Sequence, residues 1–83
     1  MSTQEIEHAI LKALIGEGRP EAMINAMQPV PNEDYENVFE AVLEMQNSNY
    51  IKLVYCTHPK VINIQLTRVG ENAFQKMKHT KTG

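Results

Sequence analysis

Apolar residues recur at three- and four-residue steps near the start of the chain, at Ile6, Ile10 and Leu14, with Ala9 and Ala13 beside them. That spacing lines one face of a helix. Ser2 followed by Glu5 has capping-box spacing, and Gly16 and Gly18 break the pattern, so a first helix is predicted over residues 3–16. Between Pro20 and Pro29, the short set Met23, Ile24 and Met27 predicts a second helix of about two turns, with Pro20 in its first turn. Val30 and Pro31 are read as extended, since a residue preceding proline is pushed out of the helical region. Asn32 then caps a third helix, with Glu33 and Asp34 in its first turn and Tyr35, Val38, Phe39, Val42 and Leu43 facing the core.

After the polar break Asn47, Ser48 and Asn49 the period changes to two. From Tyr50 to Thr57, Ile51, Leu53 and Tyr55 fall on one face; from Val61 to Leu66, Ile62, Ile64 and Leu66 do the same. With His58, Pro59 and Lys60 between them, the two runs read as an antiparallel hairpin, apolar on one side and polar on the other. Thr67 caps a last helix carrying Val69, Ala73 and Met77, with Phe74 beside the stripe, and residues 80–83 read as a frayed tail. The predicted class is α+β, in the order α-α-α-β-β-α.

The 83 residues suffice for a single domain, 1–83, which buries roughly 60–65% of its unfolded surface and leaves little room for a deep catalytic pocket. One cysteine, Cys56, excludes an internal disulfide and is expected to be inert strand packing. No run approaches the roughly 18 apolar residues of a membrane span, and the start MSTQEIEHAI has no signal-peptide pattern, so no membrane association and a cytoplasmic location are expected.

Charge is divided along the chain. Residues 1–47 hold two cations against nine acids, a balance of −7, and residues 48–83 hold six cations against Glu71, a balance of +5. A basic half of this kind suits an acidic partner such as nucleic acid, although charge blocks are also ordinary solvated faces.

The fragment LTRVGENAF at residues 66–74 resembles the Leu-Thr-x-x-Gly signal with which many winged-helix proteins leave the wing and start a C-terminal helix. Together with the element order, it marks a resemblance to the winged-helix (winged helix-turn-helix) superfamily across nearly the whole chain. AILKAL at 9–14 and NYI at 49–51 are similar to a small bacterial and phage group called YjcQ-like. The superfamily resemblance implies a helix-turn-helix followed by a wing; the YjcQ-like group implies no established activity.

In the usual docking of such a domain, the third helix enters the major groove and the hairpin touches the backbone. Here that helix presents Glu36, Glu40 and Glu44, which phosphates repel. Candidate base contacts are therefore limited to Asn32, Asn37, Gln46 and Asn47. The hairpin suits anions better, through Lys52, His58, Lys60 and Arg68, with Asn63 and Gln65 on the same side. Lys76, Lys78, His79 and Lys81 belong at a helix C-terminus whether or not a ligand binds there. Cys56 and His58 lack the spacing of a structural zinc site, and no phosphate loop, serine elbow or catalytic carboxylate pair is present. No metal, no cofactor and no enzymatic activity are expected.

These features support two functions. One is a small DNA-binding protein, a transcriptional regulator of phage or mobile-element type, that contacts double-stranded DNA through the wing and basic C-terminal half. It would form a homodimer if Val69, Phe74 and Met77 met a second copy instead of folding back. The other is a protein-interaction module whose acidic third helix, through Glu36, Glu40 and Glu44, docks a basic protein partner without binding DNA.

Overall fold

At the start of the chain Ser2 and Glu5 satisfy each other's backbone. The Glu5 amide donates to Ser2 Oγ at 3.2 Å and the Ser2 amide donates to Glu5 Oε1 at 2.9 Å, which also holds the Glu5 carboxyl below its ordinary pKa. The computed structural model describes residues 2–19 and 21–82, with side chains through residue 76. Its elements run α1 (Thr3–Gly16), β1 (Met23–Asn25), α2 (Tyr35–Asn47), β2 (Ile51–Thr57), β3 (Val61–Leu66) and α3 (Arg68–Thr82). The class is α+β as expected, with three helices and a three-stranded antiparallel sheet among the described residues. No helix among them is long and apolar enough to cross a membrane.

The order differs from the predicted α-α-α-β-β-α, because the second helix does not form. Pro20 lies outside the described residues, and the chain beyond it enters the strand β1 and then turns as far as Asp34. A two-turn helix would leave most of its amides and carbonyls without helical partners. As a strand the segment pairs with β3, Ile24 opposite Ile64, and the pairing is extended by Ala26 N–H to Ile62 O and Leu66 N–H to Ala22 O, each at 2.8 Å. Asn25 ends the strand: its Oδ1 accepts from the Met27 and Ile62 amides at 3.1 and 3.0 Å, and its Nδ2 donates to Lys60 O at 3.1 Å. Ala22 and Ala26 are buried, Ile24 is half-buried and Met23 faces solvent, so the local period is two.

The next helix begins later than predicted. Asp34, not Asn32, is the N-cap of α2, and its side chain makes no capping bond. Its end is well formed: the Asn49 amide donates to Gln46 O and the Tyr50 amide to Met45 O, each at 2.9 Å, with Asn49 left-handed at φ 64°. Val38, Ala41, Val42 and Met45 are buried, whereas Leu43, expected in the core, is 39% exposed.

The sheet order is β1-β3-β2, with β3 in the centre. Its inner residues Ile62, Ile64 and Leu66, together with Ile51, close the core against Ile6, Ile10, Leu11 and Leu14 of α1 and the buried face of α2. The predicted alternation along β2 fails after Leu53. Leu53 pairs with Ile64 and Tyr55 with Asn63, so Val54 is an extra residue, a β-bulge. The bulge moves Tyr55 from the expected inner face to the outer one and places Cys56 opposite Ile62, beyond the core and exposed.

LTRVG owes its character to one carbonyl. The Thr67 amide donates to Tyr50 O at 3.1 Å, the Thr67 hydroxyl donates to the same oxygen at 2.8 Å and lies against Asn49 O, and it accepts the Gly70 amide at 3.1 Å. The predicted cap is present. Helix α3 then passes so close that a Cβ on Gly70 would lie 2.1 Å from Tyr50 O, which is backbone and has little freedom to yield. The helix continues through Thr82, Gly83 lies outside the described residues, and so do the side chains of Met77, Lys78, His79 and Lys81.

In an open helix a Gly→Ala change stabilises by about 1 kcal/mol. At position 70 the clash predicts the opposite sign. Gly70→Ala should lose about 2 kcal/mol, a fall of roughly 8–16 °C in Tm for a domain of this size, and thermal denaturation showing an unchanged or higher Tm would refute the close approach.

Candidate functional site

Pairing across the sheet sets the rows of its outer face. Met23, Gln65 and Lys52 form one row, and Asn25, Asn63 and Tyr55 the next. None of the three strands contains an Asp or Glu. Of the predicted wing cations, the fold brings Lys52 and Arg68 together: they line one groove with Gln65, Thr67 and Asn72, and Glu21 and Glu71 line it as well. Gln65 Nε2 donates to Glu21 O at 3.3 Å within that groove. Lys60 is exposed in the turn at the far end of the hairpin.

His58 does not join these cations. It turns to the opposite side, where its Nε2 lies 3.3 Å from Glu36 Oε1 and its ring meets Tyr35 edge-on, centroids 4.6 Å apart. Glu36 is held below the ordinary carboxylate range, first by its own backbone N–H and then by His58. Tyr35 stacks on Phe39 at 5.8 Å, and its phenol is pushed up by burial, then by a hydrogen bond with the Cys56 thiol and the nearby Glu36 charge. Cys56, expected as inert packing, is therefore an exposed neighbour of Tyr35.

The four candidate base-contacting residues separate. Asn32 lies in an exposed turn before α2, Asn37 on the exposed face of α2, and Asn47 beside a shallow depression shared with Thr3, Glu40, Leu43 and Glu44. Gln46 is engaged within the fold, where its Oε1 accepts the Leu53 amide at 2.9 Å and so covers part of the free edge of β2. Nothing in the sequence separates Gln46 from the other amides, because the bond depends on how the hairpin lies against α2.

Glu44 also has a neighbour that no local pattern signals. Glu7 of α1 approaches it, and the Glu7 carboxyl is pushed up to about 7 by burial, by a hydrogen bond with Glu44 and by the Glu44 charge. Phe74 folds back on α1, its ring 5.7 Å from that of His8, while Val69 is exposed. Among the described residues no group of three His, Cys, Asp or Glu side chains is placed to hold a metal ion.

No family model matches the chain, and no curated protein or solved structure matches it either.

The Glu7 pair makes stability depend on pH. A carboxyl with a folded pKa of about 7, raised from 4.5, favours the fold fully below about 4.5, and that contribution is lost as the pH climbs to about 7. Glu7→Gln should remove this dependence. Above pH ~7 the variant should be the more stable by about 0.5 kcal/mol once solvent screening is allowed for, roughly 2–4 °C in Tm. Tm curves for the two proteins that run parallel between about pH 4.5 and 7 would refute the pairing.

Proposed function

We propose that the chain is a small DNA-binding module of winged-helix type, a candidate transcription regulator, that meets duplex DNA through Lys52, Lys60 and Arg68 and not through α2. The observation that carries this reading is the separation of charge in space. The three strands contain no Asp or Glu, and Glu21 and Glu71 are the acids that line the groove of Lys52 and Arg68, whereas Glu36, Glu40 and Glu44 all lie on the exposed side of α2. A duplex lying along the sheet and the start of α3 gains phosphate contacts and keeps the acidic helix at a distance.

The winged-helix likeness is supported by the hairpin that comes directly after α2 and by the Thr67–Gly70 junction into α3. The turns that replace the first helix of a helix-turn-helix unit depart from it. Titration with mixed-sequence duplex tests the reading. Three phosphate contacts predict a log–log salt slope of about −3, and charge reversal at Lys60 and Arg68 should abolish binding while Glu40→Gln spares or strengthens it. Absence of any salt-dependent binding at low ionic strength would end the proposal.

A second reading is favoured by one residue. Leu43 lies exposed beside Glu40 and Glu44, an apolar anchor on an acidic helix of the kind a basic protein segment would cover. If such docking is the function, capture of a basic partner should be lost in Leu43→Ser and in the Glu36→Gln, Glu40→Gln, Glu44→Gln triple variant. Capture retained by both variants rules this surface out.

A further inference from the structure

Phosphate contact alone has no use for an open aromatic ring, yet the outer sheet face carries one. Tyr55 is 57% exposed, more than Met23, Leu43, Val54 or Val69. It reaches that face only because of the bulge at Val54, and bulges often re-aim a side chain at a functional surface. Its posture is also defined. The Thr57 hydroxyl donates to Tyr55 Oη at 2.6 Å, and the two residues are two apart on the same face of one strand. A tyrosine bonded in this way lies along its strand instead of standing off it, which leaves the ring open to solvent. Asn63 sits directly across from it, and Lys52 lies one outer row away, about 7 Å along the sheet.

We propose that Tyr55 stacks an unpaired nucleobase, so that the outer sheet face holds single-stranded nucleic acid more tightly than duplex. This rests on the reading of that face as the DNA-contacting surface and names the form of nucleic acid it prefers. A solvated ring, an adjacent amide and flanking cations on strands that contain no Asp or Glu are the components of a sequence-tolerant stacking site. The ring supplies a π-face to any base, Asn63 can donate to or accept from a base edge, and Lys52 and Arg68 meet the backbone. In a duplex the base faces are covered by their neighbours, and the ring has nothing to stack on.

The test uses the whole chain at low salt, with a short labelled oligothymidylate and a mixed-sequence duplex of equal length, read by fluorescence anisotropy. The wild type should bind the single strand more tightly. Tyr55→Ala should weaken single-strand binding roughly five- to a hundredfold and leave duplex binding within about twofold, while Tyr55→Phe retains the preference. Tyr55→Leu, which keeps apolar bulk without a π-face, should lose the preference and serves if the alanine variant does not fold. Equal or tighter binding to duplex, or an equal loss for both probes in the alanine and leucine variants, overturns the stacking proposal and leaves the DNA reading standing. Binding to neither probe overturns both.

Discussion

The fold depends on the central strand having partners on both sides. β3 pairs with β1 along one edge and β2 along the other, and its alternate side chains Ile62, Ile64 and Leu66 are buried in the core. A two-stranded hairpin is marginal by itself in water. Here the third strand and the helices over the inner face remove that weakness. The short segment after α1 is recruited to β3 because it gains ladder bonds there that a two-turn helix could not supply.

The free edge of the sheet is managed by the same use of nearby partners. β2 is an edge strand, and unpaired edges invite association with other chains. Gln46 covers the Leu53 amide, and the bulge at Val54 disrupts the flat edge beyond it. The bulge thus both blunts the edge and carries Tyr55 to the outer face. At the opposite end of the hairpin, His58 turns towards Glu36 and Tyr35, which ties the hairpin tip to the first turn of α2.

Charge is distributed by this arrangement. The division between an acidic first half and a basic second half in the sequence becomes a division between elements, since the three strands hold no Asp or Glu and the exposed side of α2 carries Glu36, Glu40 and Glu44. It is not complete. Glu21 and Glu71 sit at the groove of Lys52 and Arg68, and Lys12 and Arg19 belong to the acidic half. Glu44 and Glu7 are driven together, which leaves one carboxyl of that side titrating near neutrality.

Elements with local signals were legible in the chain before any folding was considered. The Ser2–Glu5 box and the apolar stripe specify α1, the period-two runs specify β2 and β3, and Thr67 with Gly70 specifies the entry into α3, since caps, periodicity and turn residues act within a few positions of themselves. Lys52, Lys60 and Arg68 were legible as surface cations for the same reason. The remaining features were settled by long-range packing: that residues 23–25 are a strand, that Tyr55 and not Val54 shares the outer face with Asn63, that Gln46 is engaged, and that His58 belongs to α2. Each of these turns on a partner far away in the chain. A backbone amide without a local acceptor takes whichever conformation brings it a distant one, and no local pattern encodes that choice.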